Sequence, residues 1–492
     1  MNQEQATFPE AVPPIAGVPT DNLGWSVFKN SVAQIAGRLF ISLGRLVVAG
    51  LIIRGYGKDI FGQYSLIFGI LAIADWLVDF GTTDVFVRDI SREPERGKRL
   101  MGILTATKVA QIPVSFAVLA AALLLLRYPV SVIEAGLVGG IGLIFYGGVI
   151  AYRIIFRVAL KMEREVTAEL LSVIAFIPPI ALVCKYGGGL IALAGCHVFS
   201  RAVYFGTCYL FGRDKYRPSM QDASWRDIGW SIRSSAAIGI IGFLVGGYET
   251  LDILLLSKFG SFSQLAYYSA AQRLVWPVLM ALAAVAATFY PVLASFWPHS
   301  RPQFEKACQR NLDVVFTLAG FALCSAFAGA EFFMGLLGPD LVSGAPVLRV
   351  LALLCFVKAI SSSVGPVFYV VKAQKKALQF IAIAVVLKAV VSSLLAPRYG
   401  YMGVAYSALA VEVCVATAAV YLIQKIAGYR VKWNIILRVT AITIAATLVS
   451  RLLFSTGSFF AAATAPLLYI PLVFLSGAVN LSEVRSLLRW NR

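Results

Sequence analysis

Fourteen stretches of about twenty mostly apolar residues follow one another along the chain, and that succession leaves very few folds open. They lie at 27–52, 63–85, 103–126, 133–155, 168–186, 189–211, 234–257, 265–295, 313–337, 346–371, 377–396, 401–423, 435–454 and 459–480. A helix rises about 1.5 Å per residue, so each stretch is long enough to cross about 30 Å of hydrocarbon. Inside lipid every backbone polar group must be paired within the structure, and runs this long satisfy that condition as helices. Only 14% of the residues are charged, against about 25% in an ordinary soluble domain, so the chain could not cover its surface in water. The expected fold is an all-α polytopic membrane protein of about fourteen transmembrane helices.

Orientation follows from the loops. Those after the even-numbered spans, with the C-terminal segment, carry 27 Lys and Arg residues, including Arg88, Arg92, Arg153, Arg157, Arg213, Arg301, Lys372 and Lys425. The opposite loops carry six: Arg54, Lys58, Arg127, Lys185, Lys258 and Arg398. The positive-inside rule then puts both termini in the cytoplasm. This bias also accounts for the formal charge of +18, which in a soluble chain would suggest a nucleic-acid partner; none is expected here. Residues 1–26 carry Glu4, Glu10 and four prolines before Gly24, without the basic start and apolar run of a signal peptide, and are expected to be a disordered cytoplasmic tail. Residues 481–492 alternate Leu481, Val484, Leu487, Leu488 and Trp490 with arginines, as an interfacial amphipathic helix does.

A weak repeat organises the rest. Tyr56-Gly57 followed by Tyr64-Ser65 returns, about 204 residues later, as Phe259-Gly260 followed by Tyr268-Ser269. Two six-helix lobes, 27–212 and 233–424, with a final hairpin at 435–480, account for the offset and the helix count. Repeat-built membrane folds place their sites between the repeats. The seven cysteines are scattered, with no zinc spacing, and read as packing residues; no metal or cofactor is expected.

Ionised side chains at the bilayer centre cost about 2.5–3.5 kcal/mol on insertion scales, so each one retained needs a partner or water. Arg38 and Arg45 share a face of span 1; Asp75 and Asp79 share a face of span 2. Glu249 and Asp252 on span 7 and Arg273 on span 8 lie at similar depth, and Arg201 on span 6 is near mid-membrane. Lys388 and Glu412 are expected to pair with each other. Lys108, Arg451, Arg349 and Glu331, near span ends, are expected to snorkel to the interface. Arg38, Arg45, Asp75 and Arg273 instead suggest a polar cavity between the lobes. Pro113, Pro178-Pro179, Pro277 and Pro366 are expected to kink or break their spans. Of the two histidines, His197 reads as a packing residue within a span.

Short motifs add a resemblance. Gly57-Lys58-Asp59-Ile60-Phe61-Gly62-Gln63-Tyr64-Ser65, Asp79-Phe80-Gly81, Leu337-Gly338-Pro339 with Ala345-Pro346-Val347-Leu348-Arg349, and Pro397-Arg398-Tyr399-Gly400-Tyr401-Met402-Gly403 occur in order on matching spans. Over about residues 27–480 the chain resembles the polysaccharide transporters, the O-antigen and exopolysaccharide flippases of the multidrug/oligosaccharidyl-lipid/polysaccharide exporter superfamily. The resemblance implies two lobes around a cavity that alternates between the two sides of a bacterial inner membrane. It also implies a lipid-linked oligosaccharide substrate on a polyprenyl diphosphate, for exopolysaccharide or lipopolysaccharide synthesis, with membrane lipids, a polysaccharide polymerase and a chain-length regulator as partners. Fourteen rather than twelve spans departs from many O-antigen flippases and leaves the last hairpin's role open.

On that reading Arg38, Arg45, Arg201 and Arg273 are the candidate substrate-binding residues, since guanidinium forks suit phosphate and carboxylate oxygens. Asp75, Asp79, Glu249 and Asp252 are the candidate ion-coupling acids. A multidrug or ion antiporter of the same superfamily is the nearest alternative, and it calls for an acidic cavity. An integral-membrane polymerase is a weaker one, because no long external loop is present to hold catalytic groups. No catalytic residue is assigned.

Overall fold

The computed structural model describes residues 23–212, 223–454 and 459–477. Those residues form helices and turns and no strand. In chain order the helices are α1 (Leu23–Asp79), α2 (Thr82–Arg92), α3 (Gly97–Leu125), α4 (Val130–Gly140), α5 (Gly142–Val158), α6 (Met162–Tyr186), α7 (Gly189–Gly212) and α8 (Trp225–Phe259). They continue with α9 (Phe262–Thr288), α10 (Tyr290–Phe296), α11 (Arg301–Ala328), α12 (Ala330–Leu337), α13 (Ala345–Val370), α14 (Gln374–Ala427), α15 (Trp433–Leu453) and α16 (Phe459–Leu475). The two expected tails, apart from residues 23–26 at the start of α1, lie outside the described residues.

Eleven helical segments are long and apolar enough to cross a membrane. The protein is therefore a multi-pass membrane protein, and its apolar side chains face both inward and outward. The expected fourteen spans are reached only by dividing α1 and α14 and adding the 17-residue α16. The divisions have a physical basis. Gly57 (φ 80°) and Gly400 (φ 57°) break the helical path inside α1 and α14, in a backbone region that costs glycine little. A straight α1 would hold Arg45 and Asp75 about 45 Å apart, yet both line one cavity; the chain folds back at Gly57. Ser392 and Ser407 share a hydrogen bond across the equivalent reversal at Gly400. The prolines do not break their spans: α3, α6, α9 and α13 run on through Pro113, Pro178-Pro179, Pro277 and Pro366.

The turns define two faces. The basic face carries the ends of α1, α5 and α10 and the α14–α15 connection. The opposite face carries Gly57, Arg127, Gly187 and Gly260. At the opposite face the halves before residue 213 and after residue 224 are joined by hydrogen bonds. Lys58 donates to the Tyr267 hydroxyl (3.0 Å), Ser263 to Asp59 (2.5 Å) and Arg54 to the Leu336 carbonyl (2.9 Å). Tyr128 and Ser257 share a hydrogen bond of 2.7 Å, and Lys258 donates to the Leu126 carbonyl. Asp59 and Ser263 are 204 residues apart, the offset of the repeat. Equivalent positions meet where a two-fold relation passes between two units, so the repeated turns lie against each other.

At the basic face the halves share one ion pair among the described residues, Arg99 with Asp227 at 3.8 Å. Close packing of α1 on α8 accompanies it. A Cβ at Gly81 would lie 2.6 Å from the Gly239 nitrogen, and one at Gly246 would lie 2.3 Å from Trp76 Nε1. The buried core mirrors this arrangement. One cluster runs from Val48, Ile52 and Leu66 of α1 into Leu265 and Ala270 of α9 and Leu337 and Leu348 beyond. A second holds α15 and α16 against α11, where Tyr469 donates to the Thr317 carbonyl (2.8 Å) and Ser325 to that of Ala462 (3.1 Å).

Several intramembrane charges differ from expectation. Lys108 does not snorkel: it is 3% exposed. Its ammonium donates to the carbonyls of Val78 (2.5 Å) and Asp79 (3.1 Å) and to Thr82 Oγ1 (2.5 Å), capping α1 where Phe80 and Gly81 turn left-handed. Cations suit helix C-termini. Lys388 pairs with Asp252 (2.9 Å) instead of Glu412, because α8 lies against α14 there; Glu412 takes the Ser361 hydroxyl (2.6 Å). Arg349 and Glu331, expected to snorkel, pair with each other. Five cysteines are buried, and all seven are free.

Candidate functional site

Between the first and second legs of α1, helices α5, α6 and α7, and helices α8 and α9 lies a cavity of about 540 Å³. Its charged lining comprises four arginines, Arg45, Arg153, Arg201 and Arg273, and three acids, Asp75, Glu169 and Glu249. Of the sequence-derived candidates, Arg45, Asp75, Arg201, Glu249 and Arg273 are brought together here.

Each of these side chains owes its place to local packing. Gly44 lets α1 approach α6 so closely that a Cβ there would lie 2.5 Å from Val173. That approach sets Arg45 Nη2 2.7 Å from Glu169 Oε1. Arg201 is clamped on several sides. Its Nη1 and Nη2 donate to the two oxygens of Asp75 at 2.9 and 2.5 Å, and its Nε donates to His197 Nε2 at 3.1 Å. Its guanidinium also lies over the Tyr146 ring, 4.6 Å from the centroid. Such a bidentate, stacked arrangement is specific to arginine. His197 is wedged against Phe68, with ring centroids 4.5 Å apart, so it packs as expected and also orients Arg201.

Arg273 is different. Its guanidinium rests 5.0 Å from the centroid of Phe61 and 5.5 Å from that of Tyr64, and no carboxylate pairs with it among the described residues. Glu249, on the facing helix, likewise has a carboxylate without a hydrogen bond or ion pair. Among the described residues, the cavity thus presents one cation and one anion free of salt bridges. Arg45 is 57% exposed on the cavity wall, and Arg38, Leu39, Phe40, Leu43 and Val47 beside it on α1 are exposed too. At the opposite face the cavity is bounded by the hydrogen bonds described above.

Three sequence-derived candidates lie elsewhere. Arg38 is two helical turns from Arg45, about 10 Å toward the basic face, exposed and off the cavity wall. Asp79 Oδ1 accepts from the Thr83 backbone N–H (3.2 Å) and hydroxyl (2.7 Å), as a cap does at the start of α2. Asp252 is 2% exposed, bound to Lys388 and accepting from the Tyr268 hydroxyl. Two cavity residues went unread. Glu169 sits at the start of a long apolar run. Arg153 had been grouped with the basic loop after span 4, yet it is drawn into the wall beside Glu165 (2.9 Å). The sequence signal for both was their offset from the loop centre, a turn or more inside the helix. Among the described residues no group of three or more His, Cys, Asp or Glu side chains is placed to hold a metal ion.

A family profile described as polysaccharide biosynthesis protein matches residues 26–297, more than half the chain. No curated protein sequence matches. Among solved structures, the lipid II flippase MurJ in an inward closed conformation superposes with a TM-score of 0.73 at 12% identity, over 92% of this chain and 98% of that one. An inward-facing multidrug resistance MATE family transporter of the MOP superfamily gives 0.64 at 15%, over 81% and 98%. A MOP superfamily transporter from Pyrococcus furiosus, noted for the reverse polarity of its binding pocket, gives 0.58 at 16%, over 82% and 95%. The likeness to these structures is one of fold.

Proposed function

Because the chain belongs to the polysaccharide biosynthesis protein family, we propose that it is a flippase that carries a polyprenyl-diphosphate-linked oligosaccharide across a bacterial inner membrane for exopolysaccharide or O-antigen synthesis. The observation that carries this reading is the arginine-lined cavity between the two halves of the molecule, which hydrogen bonds join at the face opposite the basic one. A sugar diphosphate cannot enter hydrocarbon, where its polar groups would lose their partners. Arg273, Arg201 and Arg45 offer forked donors to its oxygens, while the polyprenyl chain stays in the bilayer beside the basic half of α1. Arg38 lies on that path as a first contact.

With the basic face in the cytoplasm, the cavity is loaded from inside. Transport then proceeds by alternating access: the lobes 27–212 and 233–424 rock, the hydrogen bonds at the opposite face part, and the basic face closes. An inside-negative potential favours outward movement of an anion by about 2.3 kcal/mol per charge per 100 mV. Of the four candidate coupling acids, Glu249 is the one on the cavity wall without a salt bridge, and we assign it that role. The forked donors of Arg45, Arg201 and Arg273 on the cavity wall suit an anionic headgroup better than the cationic cargo of a drug antiporter.

The test is transfer of a labelled lipid-linked oligosaccharide between leaflets of vesicles containing the protein. Losing one charge-assisted contact of about 1.5–3 kcal/mol lowers the rate by about 10–100-fold, so Arg273→Ala is expected to fall in that range. Undiminished transfer removes the cavity from the mechanism.

A further inference from the structure

We propose that Asp75 and Glu169 are internal counter-ions, which hold Arg201 and Arg45 while the cavity is empty and which the substrate's anionic groups displace. The inference rests on the flippase reading above and gives it a loading rule. All four residues line the same cavity. Arg201 spends both of its terminal nitrogens on Asp75, and Arg45 spends one on Glu169. A guanidinium fork holds one bidentate anion at a time. A phosphate oxygen that engages Arg201 therefore takes the place of an Asp75 oxygen, and occupancy of the cavity excludes the internal pair.

The arrangement matters most on the return stroke. A carrier that has released its cargo must close again over an empty cavity, and an uncompensated guanidinium enclosed at low dielectric is strongly unfavourable. With Asp75 in place, Arg201 enters the closed state as a neutral pair. Loaded, the diphosphate supplies the compensation. Either way the arginine crosses the closed state matched, so the cavity closes readily when full or when internally paired, and poorly between. Arg273, which has no carboxylate of its own, is free to make the first contact with the anion. The pairs differ in strength: Arg201 and Asp75 are 15% and 18% exposed, Arg45 and Glu169 57% and 28%. The first is the stronger competitor because water screens it less.

This makes a prediction opposite to that of a carboxylate which only positions its arginine. Removing a competitor tightens binding and slows return; removing a support weakens binding. The full-length chain in detergent is titrated with farnesyl diphosphate, and in vesicles it is assayed for leaflet transfer of a fluorescent polyprenyl-diphosphate disaccharide. Asp75→Asn is expected to bind farnesyl diphosphate about tenfold tighter, within the usual range for coupled sites, with several-fold slower transfer. Asp75→Glu, which keeps the competing charge, is expected to bind farnesyl diphosphate more weakly than Asp75→Asn. Glu169→Gln changes both in the same direction by a smaller factor, and it carries the test if Asp75→Asn does not fold. Weaker or unchanged binding by Asp75→Asn or, where that does not fold, by Glu169→Gln, with normal binding by the unaltered chain, overturns the counter-ion role alone. Failure of the unaltered chain to bind or transfer overturns the flippase reading and this inference with it.

Discussion

Replacing Lys388 by Met leaves the Asp252 carboxylate enclosed without a cation, and its cost follows from the surroundings. Lys388 and Asp252 side chains are 4% and 3% exposed, so water cannot compensate the orphaned charge. The Tyr268 hydroxyl still donates to the carboxylate, but Oδ1 already has no hydrogen-bond partner. The Tyr248 carbonyl also loses the ammonium 2.7 Å away. Breaking a buried pair from one side costs about 3–5 kcal/mol. At no more than about 2 °C per kcal/mol for a chain of this size, Lys388→Met should lower the melting temperature in detergent by a few degrees, up to about 6–10 °C. Adding Asp252→Asn removes the stranded charge while keeping the tyrosine contact, and it should recover about half of the loss. Thermal unfolding of the two single variants and the double variant gives the coupling directly. If the double variant melts as low as the sum of the singles, the pair does not join α8 to α14 and the argument fails.

Other consequences follow from packing and from the closed face. Gly246→Val places a branched side chain where even a Cβ would lie 2.3 Å from Trp76; it should separate α8 from α1 and lower the melting temperature by several degrees, with transfer lost in proportion to folded protein. Lys58→Met with Asp59→Ala removes two hydrogen bonds that tie the halves at the face opposite the basic one. Contacts of this kind contribute about 0.5–1.5 kcal/mol each, so the double variant should shift the population toward the state open at that face by about tenfold. That shift is read as faster labelling of a cysteine placed at Gln272.

The span pattern was legible because hydrophobic length is a property of the chain alone, whereas the partner of each buried charge depends on how helices are rotated against one another. Arg45, Asp75, Arg201 and Arg273 were found from depth and spacing, which survive folding unchanged. Glu169 and Arg153 were missed because both stand near span ends, where an ionised residue needs no special account until packing draws it inward. Asp79 failed to join the cavity for a local reason: the span was taken to run on to residue 85, but the chain turns left-handed at Phe80 and Gly81, leaving Asp79 to cap α2. Asp252 is three residues from Glu249, and that fraction of a turn aims one acid at the cavity and the other at Lys388. The repeat was visible as similar turns; that those turns touch each other is a fact of three dimensions.

The most direct measurement is the access of water to the cavity from each side of the membrane. With the native cysteines replaced, a single cysteine is placed at Gln272 or Ser200 and treated with a membrane-impermeant thiol reagent in spheroplasts and in inverted vesicles. Labelling is expected from the face that bears the basic loops, with little from the other, and that preference should shift toward the other face when the hydrogen bonds at Lys58 and Asp59 are removed. Absence of labelling from both faces would mean that the arginines are sealed in a dry interior, and the carrier mechanism would be wrong.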